Sequence, residues 1–301
     1  MSRSILISAA LLLCACMLAS VPTASAAGTR AGVSTQADAS AQADASAQAG
    51  TGKQAGVSTR ADASAQADGA HTVKLTASFS PERLGAGTTI GFGLRVLTPA
   101  GRAPSPVTAL EVLLPAGLSI AASDLGLETC EPSVLEADGI AGCPPDSLMG
   151  RGAAAAELPF GGAFVTEQAP VAVFSGPLQH GHLQLLFFAE GEYPVLANIM
   201  FAALVLSAKA PFGGLLSTMP PLIPSVPDGP DVALVRLQTT IGAKGITYYE
   251  HAHARTIAFH PRGIVLPRDC PRGGFAFAVH LSFQDGTHAG AGAVVPCPRG
   301  A

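Results

Sequence analysis

The sequence predicts an all-β protein, an immunoglobulin-like β-sandwich with two lobes that follows a disordered tether. From His71 onward, short stretches alternate apolar and polar residues, and 34 Gly and 24 Pro interrupt the chain of 301 residues. Such stretches, bounded by turn-forming residues, are typical of strands. We therefore expect a first lobe over residues 71–165 and a second over residues 166–301.

The first 26 residues have the pattern of a cleaved signal peptide. Arg3 supplies the positive charge, residues 5–21 form the apolar region, and Ala24-Ser25-Ala26 is a small-residue cleavage site. The mature chain would then begin at Ala27 and be secreted. An uncleaved segment would instead remain as a membrane anchor.

A bacterial lipoprotein signal is the main alternative for the same segment. Leu13-Cys14-Ala15-Cys16 resembles a lipobox, in which the last cysteine is lipidated and becomes the new N-terminus. Cys14 is larger than the residue usual at its place, and the apolar run continues past Cys16. The two interpretations predict a secreted protein and a surface lipoprotein anchored through Cys16.

Residues 27–70 predict a disordered linker rich in Ala, Gln, Asp and Ser. Residues 31–44 and 55–68 are two copies of one 14-residue segment that differ at a single position. Small and polar side chains cannot bury a core, so we expect a flexible spacer. As a random coil it would reach about 35–40 Å.

The strands of the globular region follow from apolar alternation, and a short helix around Pro132–Ala137 interrupts them. The last two strands form a hairpin about a two-residue turn at Asp285-Gly286. The apolar run at residues 195–208 is too short for a membrane-spanning helix, so we expect core strands there and no transmembrane span after signal removal. The predicted strands cover residues 71–80, 88–97, 108–114, 152–158, 163–167, 171–174, 182–189, 196–207, 232–241, 275–283 and 287–295.

Residues 209–230 are rich in Pro and Gly and predict a loop. A loop of this length is unusual inside a compact domain. It either covers something or separates the two lobes.

Four cysteines lie beyond the predicted signal and indicate two disulfides in an oxidising compartment. Three pairings are conceivable, and we expect the local pairs Cys130–Cys143 and Cys270–Cys297. The C-terminal hairpin supports the second pair because folding about its turn brings Cys270 and Cys297 together. A four-thiolate zinc site is disfavoured because the chain has no CxxC spacing.

The charge balance argues against nucleic acid as a partner. Charged residues make up 13% of the chain, against about 25% in a typical protein. The net charge is −4. Neutralising phosphates would need clustered Lys and Arg.

Two Cys-Pro segments and one aromatic segment resemble a group of secreted proteins of uncharacterised function from high-GC actinobacteria. The likeness covers residues 72–298 and implies a secreted β-sandwich without implying an activity. It rests on Cys143-Pro144-Pro145-Asp146-Ser147-Leu148-Met149-Gly150-Arg151-Gly152, on Thr247-Tyr248-Tyr249-Glu250-His251, and on the hairpin from Cys270-Pro271 to Pro296-Cys297-Pro298.

The candidate ligand-binding residues cluster near residue 250. On a strand, His251 and His253 would point to one face, where two imidazoles could share a divalent metal, with His260 nearby. The pattern matches the opening of a cupin motif but lacks the later Glu, so we expect a solvated histidine cluster and no cofactor. A carbohydrate or small ligand could instead contact Tyr248, Tyr249 and Arg255, although the chain has no Trp.

No motif in the sequence identifies a catalysed reaction. The sequence contains no GxSxG elbow and no HExxH helix. Glycoside hydrolysis would need a pair of carboxylates, and no pattern in the sequence indicates which of the acidic residues, Glu167 among them, would form it. We expect a non-enzymatic structural or interaction protein of the cell envelope or extracellular space, with a partner that the sequence does not identify. Ligand binding and a metal-dependent enzyme are the alternatives.

Overall fold

The computed structural model describes residues 66–67, 71–99, 102, 104–120, 125–160, 163–192, 196–225, 227, 229–253 and 255–298. The predicted signal peptide, the lipidation candidate Cys16 and nearly all of the predicted linker lie outside the described residues. Gln66 and Ala67, at the end of the predicted linker, form a two-residue strand that pairs with the last strand of the protein.

The described chain is mostly β-structure, which confirms the all-β prediction. One short helix, α1 (Pro132–Asp138), and two single-turn 3₁₀ helices (Gly139–Gly142 and Pro145–Ser147) interrupt the strands. The strands are β1 (Gln66–Ala67), β2 (Thr72–Ser80), β3 (Gly87–Leu97), β4 (Val107–Pro115), β5 (Ser119–Ile120), β6 (Leu148–Phe160), β7 (Ala163–Ser175), β8 (Leu183–Gly191), β9 (Ala197–Ser207), β10 (Phe212–Thr218), β11 (Ala233–Ile241), β12 (Tyr248–Ala252), β13 (Arg255–Phe259), β14 (Ile264–Val265), β15 (Phe275–Phe283) and β16 (His288–Val295).

A single antiparallel sheet contains the long strands. Its order is β2-β3-β11-β6-β7-β8-β9-β10-β4-β15-β16, with β1 on the outer edge of β16 and β14 and β5 beyond β3. The first and last of these long strands, β2 and β16, approach each other with Cα atoms within 8 Å. The sheet therefore curls round until its two ends meet.

The inner faces of the long strands enclose the main hydrophobic core. Period-two alternation gives each strand one apolar face, as in β15, whose five inward residues are all buried. On β16 the inward residues are small, which lets the large side chains of β15 fill the space beside them. The inward residues of β15 are Phe275, Phe277, Val279, Leu281 and Phe283, and those of β16 are Ala289, Ala291, Ala293 and Val295.

A second, smaller core covers the outer face of β7 and β8. The segment that contains α1 lies over this face, so Leu135 packs with Phe174 and Phe188. Cys130 and Cys143 belong to the same cluster and are bonded, with 5.1 Å between their Cα atoms. The predicted helix is thus confirmed, and the disulfide closes the segment that carries it.

The second predicted disulfide is also confirmed. Cys270 and Cys297 are bonded, with 5.9 Å between their Cα atoms, at the open end of the β15–β16 hairpin. The predicted two-residue turn of this hairpin is instead a three-residue loop, since Phe283 N–H donates to Thr287 O at 3.0 Å. Gly286 has a φ of 80°, which only glycine adopts without strain.

The prediction of two immunoglobulin-like lobes is not confirmed. Residue 165 lies inside β7, and the continuous sheet joins strands from both sides of it. The described residues belong to one compact unit.

One predicted loop is partly wrong. Within residues 209–230, Phe212–Thr218 form β10, which pairs with both β4 and β9. The strand was not predicted because Gly and Pro residues at its ends are typical of loops. Its pairing with β4 and β9 stabilises it instead. No helix in the described ranges is long and apolar enough to cross a membrane.

Candidate functional site

The predicted histidine cluster lies on a separate exposed hairpin, β12–β13. His251 is on β12, and its Nδ1 lies 3.0 Å from Thr256 Oγ1 across the hairpin. His253 is in the turn, with a φ of 50°, so it does not continue the strand face of His251 as predicted. His260 follows β13 and is exposed.

The aromatic candidates of this hairpin have opposite environments. Tyr248 is fully buried in the second core, where its hydroxyl donates to Leu148 O at 2.5 Å. Burial raises the pKa of this phenol. Tyr249 is 52% exposed, and Arg255 at the start of β13 is also exposed. Tyr248 therefore anchors the hairpin to the sheet, and Tyr249 is the aromatic side chain that it presents to solvent.

No metal site is formed by the described residues. Within the described ranges, no three His, Cys, Asp or Glu side chains are grouped so that they could hold an ion.

The interior of the curled sheet contains an apolar cavity of about 140 Å³ between β6, β7, β9 and the β10–β11 connection. Small side chains leave this space open, because alanine replaces the larger residues that fill the rest of the core. On β6, Ala154 and Ala156 face inward; on β7, Ala169 does so; and on β9, Ala197 lines the same cavity. The Ala-rich stretch of β6 thus creates the cavity.

A second, deeper cavity of about 60 Å³ adjoins the first. Leu110, Phe187, Phe201 and Leu237 line both, so only these side chains separate them. The rings of Phe187 and Phe201 are stacked, with centroids 5.1 Å apart and planes 3° from parallel. This stacked pair therefore forms part of the wall between the two cavities.

Glu167 is the one charged side chain in the described lining of the outer cavity. It lies on the inner face of β7 opposite Ala156 and is 9% exposed. Its Oε1 is buried and has no hydrogen-bond partner. Burial raises the pKa of this carboxyl above its ordinary value of 4.5.

The outer cavity lies where the sheet is incomplete. β7 pairs with β6 over its whole length but pairs with β8 only from Val171 onward. The first half of β7, which carries Glu167, therefore extends past the ladder of β8. Phe164 and Leu196, from the two sides of this gap, are 44% and 86% exposed.

The connection Pro220–Ser225 covers the cavity, which is the first of the two roles predicted for the Pro/Gly-rich loop. Two backbone bonds close it, from Ser225 N–H to Pro230 O at 2.9 Å and from Val232 N–H to Ile223 O at 2.8 Å. The Ser225 hydroxyl donates to the same Pro230 oxygen at 2.8 Å. We refer to residues 220–225 as the cover loop.

A polar groove of about 620 Å³ lies on the outside of β3, β6 and β11. Thr76, Ser78, Arg151 and Gln238 contribute its polar groups. Gly91 and Gly93 leave room for these hydroxyl groups, because a Cβ at Gly91 would clash with the Ser78 hydroxyl and one at Gly93 with the Thr76 hydroxyl. The groove is open to water, so its polar groups are satisfied without a ligand.

The described lining of the outer cavity contains two polar side chains. They are the carboxyl group of Glu167 and the hydroxyl group of Ser225, which already donates to Pro230 O. Sequence reasoning missed Glu167 as a site residue, although a signal was present. The inward positions of β7 run Val165, Glu167, Ala169 and Val171, so a charge interrupts an apolar face. No family model, curated protein or solved structure was found to match the chain.

Proposed function

We propose that the protein is an exported, non-enzymatic protein of the cell envelope or extracellular space that binds a small apolar molecule inside its sheet. The observation that carries the proposal is the outer cavity, with its apolar walls, its single unpartnered carboxyl group and its cover loop. The two disulfides are compatible with an oxidising compartment.

The size of the cavity supports a small ligand or the apolar end of a longer one. An apolar cavity of about 150 Å³ in a protein core stays dry and accepts a benzene-sized molecule. The outer cavity has about this volume, and the deeper cavity would extend it if the Phe187–Phe201 pair moved. Most ligand sites are likewise concave and apolar, with few polar groups that fix orientation.

Carbohydrate binding has less support. Sugar sites usually offer aromatic platforms, but Tyr248 is buried, and the exposed Tyr249 shares its face of β12 with His251 and with no other aromatic ring of Phe, Tyr or Trp. The outer groove is polar, with Phe92 as the one aromatic residue in its described lining.

The test compares two neighbouring alanines on opposite faces of β6. Ala154→Phe fills the inner cavity, whereas Ala153→Phe places the same ring in the outer groove. We expect toluene to bind the wild type and Ala153→Phe alike, and to bind Ala154→Phe at least tenfold more weakly, as measured by ligand-observed NMR on the full chain.

Thermal unfolding of both variants serves as the folding control, because overpacking costs about 1–3 kcal/mol. Equal binding of toluene to a folded Ala154→Phe variant would contradict the proposal. Selective loss in Ala153→Phe would move the site to the outer groove.

A further inference from the structure

We infer that Glu167 is a hydrogen-bonding site for the ligand, and that the ligand is an apolar molecule with one neutral hydroxyl or carbonyl group. The inference rests on the proposed function and adds the chemical class of the ligand. Its basis is the position and the unsatisfied oxygen of Glu167.

The buried oxygen of Glu167 is the first observation. Nearly all buried polar atoms in folded proteins have a hydrogen-bond partner, because a buried polar atom without one destabilises the folded state. Oε1 of Glu167 is such an atom, on a side chain that is 9% exposed and faces an open space. A ligand group placed there would supply the missing bond.

The second observation is the place of Glu167 along its strand. On the inner face of β7, Val165 lies in the half that extends past β8 and is half-buried, whereas Val171 and Val173, where β7 pairs with β8, are buried. Glu167 lies at the outer end of the cavity, and Val171 and Phe187 lie deeper. A ligand that bonds to Glu167 would therefore point its apolar part toward the deeper cavity.

The third observation concerns charge. Among the described residues, the salt bridge within 4.0 Å involves His71 and Asp285 and not Glu167. Without a cation beside it, a buried carboxyl group favours its neutral form, and burial raises its pKa accordingly. A neutral carboxyl group both donates and accepts, which matches a hydroxyl and, through its O–H, a carbonyl.

Charged ligand groups fit less well. An anion would repel Glu167 or force both groups to share a proton. A cation would need an ionised Glu167, and burying both charges has a desolvation cost that can exceed their attraction. A neutral polar group avoids both costs.

The experiment uses three probes of nearly equal size that differ in one group: benzyl alcohol, toluene and benzylamine. Their dissociation constants are measured by ligand-observed NMR on the full chain, for the wild type and for Glu167→Leu, Glu167→Gln and Gln168→Leu. Gln168 is the exposed neighbour of Glu167 on the other face of β7 and is the matched control.

We expect the ratio of the toluene to the benzyl alcohol dissociation constant to fall about tenfold in Glu167→Leu, the size of one lost hydrogen bond. Glu167→Gln keeps a donor and an acceptor and should retain the ratio within about threefold, as should Gln168→Leu. Benzylamine should bind the wild type most weakly.

Three results would overturn the inference. An unchanged ratio in Glu167→Leu would remove Glu167 from the site while leaving apolar binding intact. Tightest binding of benzylamine, lost in Glu167→Gln, would make the ligand a cation. If no probe binds the wild type, the proposed function itself fails, and the inference fails with it.

Discussion

At the scale of single residues, Glu167 and Asp285 are acidic groups with opposite environments. Glu167 faces apolar walls, and its carboxyl pKa is raised by burial. The pKa of Asp285 is lowered to about 2, chiefly because the Thr287 hydroxyl donates to its Oδ1 at 2.6 Å. The Thr287 amide donates to the same oxygen at 3.0 Å. His71 Nε2 also lies 3.1 Å from Asp285 Oδ2. The two carboxyl groups therefore affect stability in opposite directions as pH changes.

Glu167 should destabilise the protein as pH rises. Because its folded pKa lies above the ordinary 4.5, the folded state holds this proton longer than the unfolded state. The free energy of unfolding therefore falls as pH rises from 4.5 through the folded pKa. We expect Glu167→Gln to be more stable than the wild type at pH 7 and equal to it at pH 4, by urea denaturation. The same stability difference at both pH values would contradict this prediction. So would an equal pH-dependent difference in the control Glu111→Gln, whose side chain is exposed.

Asp285 should stabilise the protein except at very low pH. Its folded pKa of about 2 lies below the ordinary 3.8, so its contribution is present above pH 3.8 and is lost as pH falls toward 2. We expect Asp285→Asn to lower the urea midpoint at pH 7 and to leave it unchanged at pH 2. Thr287→Val, which removes the largest cause of the shift, should show the same pattern. Equal losses at both pH values would indicate a change of turn geometry instead.

At the scale of elements, the cover loop combines solvent contact with an interior role. Leu222 is partly exposed yet lines the cavity, while Ser225 is buried and closes the loop. Asp231, after the loop, accepts a hydrogen bond from Gln284 Nε2 at 2.8 Å, which ties this region to the β15–β16 turn. The loop is thus held by hydrogen bonds at Ile223 and Ser225, while Leu222 contacts solvent.

Loosening the base of the cover loop should speed exchange of the ligand. Ser225→Ala removes the hydroxyl bond to Pro230 O, which contributes about 1 kcal/mol, and keeps the backbone bond to the same oxygen. We expect faster hydrogen exchange of the Val232 amide and a larger toluene dissociation rate by NMR line shape. Met219→Ala, at an 81% exposed position just before the loop, should change neither. Unaltered exchange in Ser225→Ala would show that the backbone bonds alone hold the loop.

The same elements show how far the sequence could predict the fold and the site. Strands with clean alternation, such as β2 and β15, were predicted nearly to the residue, because each buries one complete face. β10 was missed because the stability of a short Gly-containing strand comes from its neighbours β4 and β9. The cavity could not be predicted, since Ala154 and Ala169 become walls of one space only through pairing of β6 with β7.

At the scale of the whole molecule, the two disulfides stabilise different parts. Cys130–Cys143 closes the segment that covers the outer face of β7 and β8, and Cys270–Cys297 closes the end of the β15–β16 hairpin. The sequence separations are 13 and 27 residues. If a disulfide acts by reducing the entropy of the unfolded chain, each contributes about 3 kcal/mol to the free energy of unfolding.

Removing the two disulfides should therefore have different local effects. The double variant Cys130→Ser/Cys143→Ser should expose Phe174 and Phe188, raising the fluorescence of a dye that binds apolar surfaces, while toluene still binds inside the sheet. The double variant Cys270→Ser/Cys297→Ser should lower the unfolding midpoint without raising dye fluorescence. Dye fluorescence and toluene binding are measured at pH 7 without denaturant, and the unfolding midpoint is measured at the same pH by urea denaturation. Loss of toluene binding in the first variant would show that the second core supports the cavity.

The order of strands around the sheet has a consequence for how the chain folds. β4 lies between β10 and β15, so its two neighbours are about 100 and 170 residues away along the chain. Pairings over such separations require large loops to close first, which makes folding slow. Until β15 and β16 are available, one edge of β4 has no partner and the interior stays open. The sheet can therefore close around its interior only when the last hairpin, β15–β16, joins it.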